Sequence, residues 1–278
     1  MPNIKKVLFP VDFSPQTAGA ARYVEAVAGR FQARILLLHV VSHGERILAD
    51  ELLPIRHRQL DEFLNSELRY FDTEKLCVVG DPAAKIVEVA DEWRPDIVMM
   101  PTHGLGLYRR LLLGSVTAKV LHDLDCPVWT DVHAETAPRL EDIHFRRILC
   151  AVDLLEQSRA VLDWSTFLCD EYAAELGIVH AVPAVEADPM VHHLDTEFTS
   201  ILIGEAKEKL TALQKEAGTD AATFVQAGDP AKVVACAAQQ FNADLVIIGR
   251  HARAGFSGHL RQNAYSIIRG ATRPVLSI

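Results

Sequence analysis

Short apolar runs alternate along this chain with longer stretches whose apolar positions recur at helical spacing. In the first half, Lys6–Val11, Arg34–Val41, Leu76–Val79, Ile97–Met100 and Val128–Thr130 read as strands. The near-continuous apolar character of Ile35–Leu38 and Ile97–Met100 suits strands covered on both faces. Between them, Ser14-Pro15 and Asp81-Pro82 mark helix starts, with a capping side-chain oxygen followed by proline at the first helical position. The second of these helices carries Ile86, Val89 and Ala90 on one face. Strand–helix alternation of this kind predicts an α/β, doubly wound parallel sheet with right-handed crossovers.

The pattern occurs twice. Lys6-Val7-Leu8-Phe9-Pro10-Val11-Asp12 is matched by Arg147-Ile148-Leu149-Cys150-Ala151-Val152-Asp153, an offset of 141. Ala33–Val41 meets Ala174–Val182 at the same offset, with His39 opposite His180. Gly80-Asp81-Pro82-Ala83 recurs as Gly228-Asp229-Pro230-Ala231, and Pro95-Asp96-Ile97-Val98 as Ala243-Asp244-Leu245-Val246, now at 148. Cys126-Pro127-Val128 answers Arg273-Pro274-Val275 at 147. The jump of seven puts an insertion in the second copy, between Val182 and Thr223. So long a period excludes a solenoid and predicts two repeated domains, each a five-stranded parallel sheet flanked by helices. They are expected over 1–131 and 144–278, joined by a polar linker at 132–143 that contains Pro138.

Composition then narrows the partners. The net charge of −9 over 278 residues lacks the basic face that a phosphate backbone needs, so no nucleic-acid partner is expected. No window approaches the ~20 apolar residues that cross a bilayer, so no membrane partner is expected either. The opening MPNIKKVLFPVDFS runs straight into a strand without a secretory leader, and a cytoplasmic protein is the expectation. Five scattered cysteines without a CxxC pair read as small buried thiols rather than a zinc site or disulfide framework. His192-His193, near Asp188 and Asp195, is the densest histidine set, but adjacent positions on a regular element point different ways. A solvated face is expected there, not a metal site.

In an open parallel sheet, ligands bind beyond the carboxyl ends of the strands, where the strand order switches. Three stretches of the first copy project there: Pro10-Val11-Asp12-Phe13-Ser14, His39-Val40-Val41, and the loop after the fourth strand. That loop reads Pro101-Thr102-His103-Gly104, nine residues, then Gly114-Ser115-Val116-Thr117. A glycine turn lets backbone amides approach an anion without Cβ obstruction. Gly114-Ser115 opens a helix over Val116–His122, whose unpaired N–H groups and positive dipole end favour negative charge. The Ser115 and Thr117 hydroxyls add donors, and His103 is either a further donor or a turn residue. Asp12 and Asp153 are either ligand- or metal-facing carboxylates or turn residues. No GxSxG nucleophile, Walker lysine or phosphate clamp is present, so turnover beyond a slow ATPase using Asp12 and a divalent metal is not expected.

The segment THGLGLYRRLLLGSVTAKVLHDLDCPV resembles the universal stress protein family, whose ATP-binding members carry Gly-x2-Gly-x9-Gly-Ser/Thr at this place. The resemblance extends over both copies. It implies an adenine nucleotide of ATP type, with Mg²⁺, held mainly in the first domain of a stress-response sensor or regulator. Val11 and Asp12 would line the nucleoside end beside Pro10 and Ser14, and Val40 or Val41 would pack against adenine. Thr102, His103, Gly104, Gly114, Ser115, Val116 and Thr117 would surround the phosphates. It also implies pairing of the last strands, here within one chain as a pseudo-dimer, with a homodimer through other surfaces as a further possibility.

This sequence departs from the family pattern at two places. Pro101 stands where the motif has its first glycine, and proline fixes φ near −65° and donates no N–H. In the second copy the stretch reads Gly249-Arg250-His251-Ala252, nine residues, then Gln262-Asn263. Gln262 adds bulk at the phosphate position, Asn263 is a candidate helix cap, and Arg250, Arg253 and Arg261 keep positive charge nearby. The alternative reading is a scaffold of the same fold whose clefts take another small molecule or a protein partner.

Overall fold

A computed structural model describes residues 2–42, 49–103, 113–183, 192–250 and 257–278 of the chain. It divides into two compact units, residues 3–144 and 145–278.

The first unit contains β1 (Lys6–Pro10), α1 (Pro15–Phe31), β2 (Arg34–Val41), α2 (Ala49–Glu62) and β3 (Thr73–Val79). It continues with α3 (Pro82–Trp93), β4 (Ile97–Pro101), α4 (Ser115–Asp123) and β5 (Val128–Asp131). Its strands lie in the order β3-β2-β1-β4-β5, all parallel. The second unit repeats the plan with β6 (Arg147–Ala151), α5 (Ser158–Tyr172), β7 (Glu175–Val182), α6 (His192–Ala217) and β8 (Ala222–Ala227). Then follow α7 (Pro230–Phe241), β9 (Leu245–Ile248), α8 (Ser257–Gly270) and β10 (Val275–Ser277), in the order β8-β7-β6-β9-β10. Both are the doubly wound sheets that the alternation of strands and helices predicts, with the switch in strand order between β1 and β4, and between β6 and β9.

The helix starts follow from side-chain chemistry. Ser14 caps α1 by accepting from the Thr17 amide (3.2 Å), and Asp81 caps α3 by accepting from Ala84 (2.9 Å). That amide, and then Lys119 of α4 at 3.3 Å, holds the Asp81 carboxyl below the usual carboxylate range. Asp229 repeats the cap on α7 through the Lys232 amide (3.0 Å). The helix ends repeat as well, on left-handed residues that are not glycine: Gln32 and Ala173 at φ 51°, Arg94 and Asn242 at φ 52°.

One carboxylate in each unit stitches two central strands together where they begin. Asp96 Oδ2 accepts from the amides of Lys5 (2.7 Å) and Lys6 (2.9 Å), while the Asp96 amide donates to Lys6 O. Asp244 does the same with Arg146 and Arg147, at 2.8 and 3.0 Å.

Sequence expectations are modified in the linker, at the start of β3 and among the cysteines. The expected linker folds against α1 through short 3₁₀ turns at Ala134–Thr136 and Leu140–Asp142. Ala134 and Ala137 are buried there, and Arg22 donates to the carbonyls of Ala137 and Pro138. β3 begins at Thr73 rather than Leu76, because an edge strand tolerates the half-exposed Thr73-Glu74-Lys75. The insertion in the second copy lies in the stretch that holds α6, 26 residues against 14 for α2. Among the cysteines, Cys150 and Cys169 are buried as expected, whereas Cys77 and Cys126 are half-buried and Cys236 is exposed. Among the described residues no helix is long and apolar enough to cross a membrane.

Two predictions follow from these contacts. Asp96→Ala leaves two strand-entry amides without their charged acceptor and is expected to lower unfolding free energy by about 1–2 kcal/mol in urea titration; an unchanged midpoint would contradict the stitching role. Burial pushes the Cys150 and Cys169 thiols up to about 12. An aromatic disulfide reagent at about pH 8 is therefore expected to label Cys236 in the native protein and to reach Cys150 and Cys169 only in urea.

Candidate functional site

The parallel strands of the first unit deliver their carboxyl ends to one edge, and a cleft of about 470 Å³ lies there. Its floor is Pro10 and Val11 from β1, with Leu38, His39 and Val40 from β2. Pro82 and Ile86 of α3 close one side, and Met100, Pro101 and His103 follow β4. The segment from Leu113 to Thr117, entering α4, forms the opposite wall.

The turn after β1 is built around Asp12. Its Oδ1 accepts from Ser14 N (3.0 Å), Ser14 Oγ (2.5 Å) and Thr17 Oγ1 (2.6 Å). Three donors on one oxygen draw the chain into a tight bend, and Phe13 between them takes φ 61°, a conformation that costs a bulky residue of order 1 kcal/mol. Phe13 is held by packing on the His39 ring at 4.3 Å and edge-on against Phe63 at 5.1 Å. His39 in turn places Nδ1 2.8 Å from Val11 O, tying β2 to the exit of β1. One Asp12 oxygen is thus committed to the turn, and Asp12 is the only carboxylate on the cleft wall among the described residues.

The loop between β4 and α4 is pinned at both ends. Gly114 N donates to Thr102 O (2.9 Å), and Thr117 Oγ1 donates to Pro101 O (3.2 Å). Thr102 gives its amide and hydroxyl to Asp131 O, and the Asp131 carboxyl accepts from His133 N at 2.9 Å. Burial raises that carboxyl above the usual range, with the His133 amide opposing. Gly114 has an ordinary φ of −59°, so its role is space: an added Cβ would lie 3.1 Å from Thr102 O.

α4 differs from α1 and α3 in having no side-chain cap. Its first amides, at Ser115 and Val116, and the Ser115 hydroxyl make no hydrogen bond among the described residues, and both residues line the cleft. His103 contributes a second unsatisfied group, a buried Nδ1 with no partner among the described residues.

The sequence-predicted residues therefore separate into groups. Pro10, Val11, Asp12, Val40, Pro101 and His103 line the cleft, as do Gly114, Ser115, Val116 and Thr117. Ser14 and Thr102 lie behind the wall, each 1% exposed, where they hold the two loops. Val41 also points away from the cleft and is buried at 1%, which leaves Val40 as the strand-two contact. Thr117 spends its hydroxyl inside the protein and does not offer it to a ligand. Gly104 lies outside the described residues. His39, in a stretch expected to project here, lines the cleft as well, and so do Pro82 and Ile86, for which the sequence suggested only a helix start and a helix face.

Pro101 fits its position. It is the last residue of β4, paired in register with Asp131. Its counterpart Gly249 has no positive φ, so this position asks for a small or extended residue, not a left-handed one.

The second cleft, about 400 Å³, occupies the same place in its unit. Asp153 repeats the turn, accepting from Leu155 N (2.9 Å) and Ser158 Oγ (2.8 Å), and Leu154 takes φ 60°. Asn263, expected as a helix cap, instead lies inside α8, which begins six residues earlier at Ser257. Arg250 is buried and gives its amide to Ile278 O. His251, Ala252 and Arg253 lie outside the described residues. Among the described residues no group of three or more His, Cys, Asp or Glu could hold a metal ion.

Twin sheets, each with a cleft at its strand-order switch, define a doubly wound α/β protein. The chain belongs to the universal stress protein family, whose sequence pattern matches residues 3–131 and 144–278. It is 30% identical over 150 residues to universal stress protein MJ0577 of Methanocaldococcus jannaschii, spanning 45% of this chain and 92% of that one. Universal stress protein MT2061 of Mycobacterium tuberculosis is 25% identical over 220 residues, 75% of this chain and 69% of that one. Among solved structures, a universal stress protein from Archaeoglobus fulgidus matches 98% of this chain and 97% of its own at 21% identity, with a TM-score of 0.73, which shows the shared fold.

Because Pro101 sits unstrained, Pro101→Gly is expected to gain nothing in the folded state. It should lower stability by about 0.5–1 kcal/mol through the more flexible unfolded chain. A rise in the urea midpoint would show instead that proline strains the loop.

Proposed function

We propose that the first unit binds an adenine nucleotide of ATP type, with Mg²⁺, and that the protein acts in the cytoplasm as a stress-responsive sensor or regulator. The observation that carries this reading is the uncapped start of α4 at the rim of an otherwise apolar cleft. Peptide amides left open at a helix N-terminus favour a phosphate, by hydrogen bonding and by the helix dipole together. The Ser115 hydroxyl and the His103 Nδ1, which has no partner among the described residues, add two donors to the same wall. Val11, Val40, Ile86 and Met100 supply apolar surface for a flat base. Asp12 Oδ2, the oxygen that the turn leaves over, is the group available to a ribose hydroxyl or to the hydration shell of Mg²⁺.

The wall suits holding a nucleotide, with binding reported onward by the occupied state. Membership of the family supports a role in the stress response, and pairing of the two copies within the chain belongs to the same reading.

Calorimetric titration of ATP and Mg²⁺ into ligand-stripped protein tests the proposal. Micromolar binding, about −8 kcal/mol, is expected for the wild type. It should be lost in Gly114→Gln, whose side chain must displace the Thr102 carbonyl. No heat, together with a melting temperature unmoved by ATP, would favour the scaffold reading.

A further inference from the structure

We propose that the second cleft takes the uncharged part of such a ligand alone, an adenine nucleoside without phosphates. This inference rests on nucleotide binding as the reading of the first cleft. The half of the wall that would face a nucleoside is retained position by position. Val152, Asp153 and Ser158 replace Val11, Asp12 and Thr17 at the exit of the first strand. His180 replaces His39 and keeps its bond, Nδ1 lying 2.9 Å from Val152 O. Pro230 and Val234 replace Pro82 and Ile86, and Ala181 in place of Val40 gives extra room.

The half that would face phosphate is rebuilt. The position of Ser115 is taken by Asn263, which is not at the start of its helix but six residues inside it. Amides at that depth are bonded to carbonyls four residues earlier, so none is open to an anion. Ser257, the first residue of α8, lies about 9 Å farther along the helix axis. The positive dipole end has moved with it.

The groups placed at the cleft instead are neutral and bond in both directions. Gln157 Nε2 donates to Asp153 Oδ2 (2.9 Å), so the oxygen that is free on Asp12 is taken here and a ribose hydroxyl would meet the Gln157 carboxamide oxygen in its place. The same carboxamide lies over Gly249, where an added Cβ would sit 2.9 Å from Gln157 Cδ. Gln157 and Asn263 thus present amide donors and acceptors on a wall whose one described charge is negative. Such a surface suits hydroxyl and amine groups, while an anion would face the Asp153 carboxylate with no open helix end among the described residues to offset the repulsion.

The test uses the full chain carrying Gly114→Gln, so that the first cleft is disabled, titrated by calorimetry with adenosine and separately with ATP and Mg²⁺. Adenosine is expected to bind, and ATP to bind at least tenfold more weakly. Adding Ala181→Trp, or independently Gly249→Val, should weaken adenosine at least tenfold, each variant being used only if its circular dichroism and urea midpoint match the parent. Absence of adenosine binding to the Gly114→Gln chain would overturn the inference, as would ATP binding there as tightly as adenosine. Failure of the first-cleft reading has a different signature, absence of ATP binding to the wild type. If adenosine still binds the Gly114→Gln chain in that case, the second site stands without the first.

Discussion

All five strands of each unit run the same way, and that single constraint decides where everything else can happen. A parallel sheet with helices on both faces buries its strands almost completely, as β4 shows with five buried residues in five. Backbone polar groups are consumed along the ladder and come free only where strands end. At the amino ends, Asp96 and Asp244 take up the leftover amides. At the carboxyl ends, Asp12 and Asp153 organise the turns, and a cleft lies at each strand-order switch. The strand-entry carboxylates at one edge and the clefts at the other are two results of one topology.

Duplication preserved the structural half of this scheme more faithfully than the ligand-facing half. Both turns force a bulky residue, Phe13 or Leu154, into the left-handed region, and both tie a histidine ring to the first-strand carbonyl. Those bonds hold strands together whatever occupies the cleft. The helix after the fourth strand is under no such demand. α4 begins at Ser115 and α8 begins six residues earlier relative to the repeat, so the two clefts offer different chemistry on the same frame.

The sequence made the fold legible where chemistry is local. Ser14-Pro15 and Asp81-Pro82 announce their helices because a cap and a proline act over three or four residues. Continuous apolar runs mark the central strands because both faces are covered. Features set by distant partners were not legible. The docking of residues 134–142 depends on Arg22, more than a hundred residues away. The choice of Val40 over Val41 depends on which face α3 leaves open. Pro101 could not be judged from the motif alone, since only the φ of Gly249 shows what the backbone requires there. Asn263 looked like a cap because its side chain suits one, but where a helix begins is decided by the residues before it. Pro82 was the overlooked wall residue that carried a visible signal, its exact recurrence as Pro230.

The four helix ends at Gln32, Arg94, Ala173 and Asn242 carry a different kind of consequence. Each holds a left-handed backbone without glycine, at an energetic disadvantage of order 1 kcal/mol apiece, least for asparagine. All four sit where helices turn back into strands, at the edge opposite the clefts. The chain therefore holds untapped thermal headroom in places that no ligand touches. Its melting point can drift over generations there without altering what it recognises.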